Sequence, residues 1–142
     1  MRVSKLEENI STNSFHFKIE GSAISKFPLF QKDWNTKLQI VSLIPDEWKL
    51  INTISFNDLK QKNIMNFNVL VVDCEGALYY ILKDELEFLN CFETIIIEND
   101  FIIFTHKKIV NEEFKRYNFK PIYKMSGGFG HCYNCFYEVW KK

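Results

Sequence analysis

The stretch that most constrains this chain is residues 68–90, NVLVVDCEGALYYILKDELEFLN. Residues 69–72 form a short apolar, mostly β-branched run, which suits a strand buried on both faces. The run stops at Asp73-Cys74-Glu75-Gly76, where two acids and a glycine end the core pattern. Beyond Gly76 the period changes. Leu78, Ile81, Leu82, Leu86 and Leu89 recur at helical spacing, with Lys83, Asp84, Glu85 and Glu87 on the opposite side. A second apolar run, residues 94–97, again ends in polar groups, Glu98-Asn99-Asp100. The order is strand, helix, strand, with acids and amides past the carboxyl end of each strand, where open α/β sheets bind ligands. Asp73, Glu75 and Glu98 are thereby candidate catalytic residues, and Asn99 a candidate substrate contact.

Elsewhere the signals are more local. Residues 1–14 are polar and read as a loosely ordered terminus. Residues 15–20 alternate apolar and polar, as a half-buried strand does, until Gly21 breaks the pattern. Residues 22–37 read as mostly loop around Pro28 and Trp34, residues 38–43 as extended, and Pro45-Asp46 as a turn. Residues 49–54 read as one strand. Ser55-Phe56-Asn57-Asp58 resembles a capping box, with a helix from there to about Lys62. A helix is expected over 111–117, ending near Asn118. A strand follows over 119–124, placed at a sheet edge by Pro121. After the loop with Gly127, Gly128 and Gly130 comes a last strand over 135–140. The loop is too short for a crossover helix, so these last two strands should pair antiparallel.

Size and charge set limits on function. A chain of 142 residues, 46% hydrophobic and 25% charged, suits a single globular domain. Lys plus Arg and Asp plus Glu both number 18, so no net charge draws the chain to a phosphate backbone or an anionic membrane. The first fifteen residues lack the apolar core of a signal peptide, and no run approaches the ~18 apolar residues of a membrane span. A soluble, cytoplasmic or otherwise intracellular protein without nucleic-acid or membrane partners is therefore expected.

Cys74, Cys91, Cys132 and Cys135 read as thiols in that setting, not as a disulfide framework. His131-Cys132-x-x-Cys135 has the look of half a zinc site, but the second ligand pair is missing and no metal is expected there. Fourteen phenylalanines can fill a core or remain exposed at an interface. Trp34, Trp48 and Trp140 read as core or cleft wall, since no basic groove accompanies them.

VLVVDCEGALYYIL, then IIIEND, then GGFGHCYNCFYEVW resemble the carboxy-terminal part of the FkbM-type methyltransferases. The upstream SAISKFPLFQKDWNT and INTISFNDL resemble the segment that precedes that step, so the likeness spans residues 15–141. It implies an incomplete Rossmann-like α/β fold, a mixed sheet of about five strands ending in an antiparallel hairpin. It further implies S-adenosylmethionine as cofactor and a small hydroxyl-bearing acceptor, handled by Asp73, Glu75 and Glu98 with Asn99. Such enzymes begin with a glycine-rich turn that cradles the cofactor, followed by a strand ending in a ribose-binding acid. Here Gly21 is the only glycine ahead of Gly76, and Glu20 is the acid that follows a candidate strand. The family pattern is matched without its first βαβ half.

Two functions follow from different classes. In one, the chain transfers a methyl group, with Asp73 and Glu75 holding an acceptor hydroxyl and taking its proton. Two such carboxylates also suit a divalent cation. In the other, the chain is a non-catalytic module that acts through a partner chain or a second copy at an exposed sheet edge. The plain structural alternative for the acids is that Asp73 caps the turn and Glu75 favours the positive end of the following helix.

Overall fold

The computed structural model describes residues 3–14, 16–32, 35–38, 47–63, 66–128 and 130–142. Its elements, in chain order, begin with α1 (Val3–Asn13), β1 (Ala23–Ile24), β2 (Leu29–Lys32), β3 (Asn35–Leu38), β4 (Lys49–Ile51) and β5 (Thr53–Ile54). There follow α2 (Phe56–Asn63), β6 (Val69–Val72), α3 (Leu78–Asp84), β7 (Thr94–Glu98), α4 (Phe104–Arg116), β8 (Lys120–Met125) and β9 (Tyr137–Lys141). Two 3-10 helices, Leu86–Cys91 and Gly130–Cys135, lead into β7 and β9.

The main sheet is mixed and has the order β6-β7-β9-β8. β6 and β7 are parallel, Val69 opposite Thr94, with α3 in the connection between them. β9 runs antiparallel to both β7 and β8. The expected strand–helix–strand unit and the closing hairpin are both present. A three-stranded sheet, β3-β2-β4, and a parallel pair, β1-β5, stand apart from it. The chain is thus α/β with a four-stranded mixed sheet and two small ones, where a single sheet of about five strands was expected.

Among the described residues, one face of the main sheet is covered. Leu70 and Val72 point inward in the same rows as Ile95, Ile97 and Trp140, and α3 and α4 pack over them. Leu78 and Leu82 of α3 and Val110 and Phe114 of α4 are buried, spaced four residues apart on each helix. Phe114 meets Trp140 edge-on with ring centroids 5.2 Å apart, and each such side chain contributes about 1.5–3 kcal/mol by leaving water. Phe56, Phe88 and Phe92, in edge contacts of 4.8 and 4.9 Å, join α2 to the same core. α4 ends as the sequence indicates. Asn118 takes a left-handed φ of 67°, and the amide of Phe119 bonds back to the Phe114 carbonyl at 2.9 Å.

Several expectations are corrected. Among the described residues β6 is an edge strand, and Val69 and Val71 are exposed, so it is not buried on both faces: the run of hydrophobicity does not say how many faces have a neighbour. Residues 3–13 are helical although none of them is fully buried; Leu6 and Ile10, four residues apart, are the half-buried positions. Residues 16–20 form no strand, because alternation specifies a face but does not supply an edge to pair with. Residues 22–37 contain β1 and the β2–β3 hairpin, whose polar composition hides its period. Residues 49–54 divide at Asn52 between two sheets. The long helix of residues 78–89 breaks at Glu85, which turns inward to accept the Phe56 amide at 3.2 Å and to pair with Lys26 at 3.3 Å. Trp34, residues 39–43 and the Pro45-Asp46 turn lie outside the described residues.

Candidate functional site

The site grows out of the turn that ends β6. Glu75 and Gly76 adopt successive left-handed conformations, with φ of 49° and 77°, and the Ala77 amide bonds to the Cys74 carbonyl at 2.8 Å. This reverses the chain tightly enough for α3 to begin at Leu78. Glycine adopts that geometry freely; glutamate does so at a cost of about 1–2 kcal/mol. The Gly76 amide donates to Asp100 Oδ1 at 2.8 Å, tying the turn after β6 to the segment after β7.

Asp73, Glu75 and Asp100 converge as a result. Each offers a carboxylate oxygen, and these oxygens lie within 4.8 Å of one another. Glu98 ends β7 close enough to feel the same charges. Asp100 beside Glu75 raises the Glu75 carboxyl above its ordinary range, with burial, a hydrogen bond to Asp100, and the charges of Asp73 and Glu98 adding to the effect. Burial, then Asp73 and Asp100, raise Glu98 in the same direction. Such a carboxylate is a stronger base than a free one and takes a proton readily. Its spacing is also one that a hard divalent cation tolerates.

Two shallow depressions meet at this cluster. One, of about 480 Å³, lies between Glu75, Glu98 and Asp100 on one side and Gly128, Gly130 and His131 on the other. The second, of about 420 Å³, is bounded by Glu75, Tyr80, Ile102, His106 and Gln31 of β2. The glycine loop is shaped by packing as well as by the depression. A Cβ on Gly128, at φ 55°, would fall 2.1 Å from the Phe136 ring. His106 stacks on Tyr79 at 3.7 Å, and burial followed by the charge of Lys83 lowers its imidazole below the usual range.

Of the residues expected in the site, Asp73, Glu75 and Glu98 are brought together and Asn99 is not. Asn99 is fully buried and donates to the Cys135 carbonyl at 2.5 Å and to Glu138 Oε2 at 3.1 Å. Glu138 Oε2 also accepts from Lys107 and, at 3.1 Å, from the Trp140 indole. Lys124 lies 3.2 Å from Glu138 Oε1, an ion pair out of hydrogen-bond alignment, and Asn99 Oδ1 has no hydrogen-bond partner. Burial lowers Lys107, with Glu138 opposing the shift. Burial would raise Glu138, but its bonds to Lys107 and Trp140 and its ion pair with Lys124 hold it below the ordinary range. Strand alternation explains the divergence: Glu98 faces the open side of the sheet and Asn99 turns in beside β9.

Asp100 completes the cluster and is not distinguishable from its acidic neighbours in the sequence. The one available signal is its place two residues past β7, opposite a turn glycine. His131, Tyr80 and His106 come from separate segments, and no local pattern links them. The four cysteines stand unbridged, and burial pushes the Cys74 thiol up to about 11.

Neither Gly21 nor Glu20 is placed as the cradle of S-adenosylmethionine would need. Gly21 lies outside any strand, and a Cβ there would already meet Val3 at 3.3 Å. The Glu20 carboxylate is committed to Ser22 at 2.8 Å and Lys62 at 2.7 Å. The chain matches no protein-family model, no curated protein and no solved structure.

Proposed function

We propose that the chain supplies the acceptor side of an FkbM-type methyltransferase with a Rossmann-like core. Asp73 and Asp100 orient a small hydroxyl-bearing molecule, and Glu75 takes the proton of that hydroxyl as its oxygen becomes a nucleophile. Glu98 lines the same depression. The observation that carries this reading is Glu75 itself: a non-glycine acid held left-handed, in contact with a second carboxylate, at the carboxyl end of parallel strands. A capping role would not need the strain, since glycine serves the turn better. The parallel pair joined by α3, with the β8–β9 hairpin beside it, agrees with the architecture the resemblance implies.

A second reading has its own observation. β6 has no strand on its free side among the described residues, which favours a non-catalytic module that works through a partner chain. One set of titrations separates the two. Hexoses and polyols, added one at a time, should shift the amide resonances of residues 73–76 and 98–100, and Glu75→Gln should abolish the shifts while leaving the melting temperature within a degree or so. Calorimetry with S-adenosylmethionine should show weak or no binding by this chain alone. No acceptor response at all, or a Glu75→Gln variant that loses fold and nothing else, would leave only the module reading.

A further inference from the structure

We propose that Cys132 and Cys135 are a redox-active dithiol that closes an intramolecular disulfide by exchange with a small disulfide such as oxidised glutathione. Both residues belong to the 3-10 helix Gly130–Cys135. Three residues complete a turn of such a helix, so positions three apart eclipse each other on one face, about 6 Å from Cα to Cα. A disulfide joins Cα atoms over roughly 4.4–6.8 Å, so this backbone holds the pair in bridging range as it stands. The turn is also held from two sides. The Gly127 amide bonds to the Tyr133 carbonyl at 3.0 Å. Asn99 donates its side-chain amide to the Cys135 carbonyl at 2.5 Å and its backbone amide to the Phe136 carbonyl at 2.7 Å.

The two thiols pack against one core but differ in access. Cys132 is 1% exposed, whereas Cys135 is half-buried. Burial, then the charge that Cys135 carries as a thiolate, raises the Cys132 thiol above its ordinary range, with Lys107 opposing. Lys107 lies within reach of the charge of either sulfur, so one buried ammonium stands beside the pair. The difference in access fixes the order of events. Cys135, the thiol open to solvent, attacks as thiolate one sulfur of oxidised glutathione; that S–S bond breaks, and one glutathione leaves as its thiolate. Cys132 then gives its proton to water, and its sulfur attacks that of Cys135, forming the internal bond and releasing the second glutathione. Two electrons pass from the protein sulfurs to the glutathione pair, and the two protons end on the released glutathione thiols. The exchange uses none of Asp73, Glu75 and Asp100 and is independent of what those acids do.

Thiol trapping of the folded full chain tests it. The protein is equilibrated with mixtures of reduced and oxidised glutathione, quenched in acid and alkylated, and its intact mass and peptides are read. The expected product has lost two hydrogens, is alkylated at two cysteines instead of four, carries no glutathione and is bridged between Cys132 and Cys135. Its far-UV circular dichroism should match that of the reduced chain, and excess reduced glutathione should return all four thiols. Cys132→Ser should stop at the intermediate, with one glutathione held on Cys135. Cys135→Ser should react roughly tenfold more slowly or less, since only the buried thiol of the pair remains. Should either variant fail to fold, the peptide map of the wild type decides. Four free thiols in the oxidised buffer, bridges shared with Cys74 or Cys91, a glutathione retained on the wild-type chain, thiols shielded by stoichiometric zinc, or a bridge that forms only after unfolding would each overturn the proposal.

Discussion

Two polar clusters lie within a few residues of each other along β7 and β9, and they are built on opposite rules. In the first, Glu138 is buried and surrounded by the donors of Lys107, Asn99 and Trp140. Glu138 and Trp140 lie in β9 and Lys107 in α4, with Asn99 just past β7. In the second, Asp73, Glu75 and Asp100 crowd together half in water, no salt bridge reaches them among the described residues, and Glu75 is held left-handed. The buried cluster balances its charges because an unbalanced one could not persist without water. The exposed cluster leaves its repulsion standing and adds backbone strain to it. Sites that lower stability without structural return are where function is to be sought.

The largest expected effect breaks the buried cluster. Lys107→Met removes the buried ammonium from Glu138, leaves it only the half-exposed Lys124, and should cost about 3 kcal/mol in urea denaturation. The double variant with Glu138→Gln should recover much of that loss, because the stranded charge is gone. If single and double variants unfold alike, the cluster is not held together by charge and the contrast with the acids fails.

A smaller and opposite effect is expected in the acid cluster. Glu75→Gly relieves both the left-handed strain and the repulsion, and should gain about 1 kcal/mol while losing any acceptor response. Destabilisation by this change would mean that Glu75 serves the fold.

The smallest effect is one of pH. Glu75 and Glu98 titrate above their ordinary range in the folded chain, so their contribution to stability is fully present below the unfolded value and lost as pH rises through the folded one. Glu138 is lowered, so its contribution is present above the unfolded value and lost as pH falls through the folded one. The two clusters therefore act on opposite sides of the ordinary carboxylate range. Asp100→Asn keeps an oxygen for the Gly76 amide and removes the charge, and should bring the Glu75 titration down towards normal in an NMR titration. An unmoved Glu75 would place the source of its shift elsewhere.

The site was legible where it follows a strand end. Asp73, Glu75 and Glu98 could be chosen because an apolar run stopping at acids marks the end of a parallel strand, and no long-range contact is needed to see it. Asn99 was misplaced because adjacent residues of a strand face opposite sides, and the sequence does not say which side is open. Lys107 and Glu138 were invisible, being 31 residues apart on different elements.

The sequence by itself determined the strand–helix–strand unit, the start of α2 at its Ser55 cap, the end of α4 at Asn118 and the antiparallel closing hairpin. These depend on period, capping and loop length, which are local properties of the chain. Only the tertiary structure decided that, among the described residues, β6 is an edge and one sheet face is left open, and that α3 stops at Glu85. Each of these depends on which neighbour arrives: Glu85 turns in because the Phe56 amide is there to receive it, and Val71 is exposed because nothing described covers it. A four-residue apolar run has the same pattern at the centre of a sheet and at its edge.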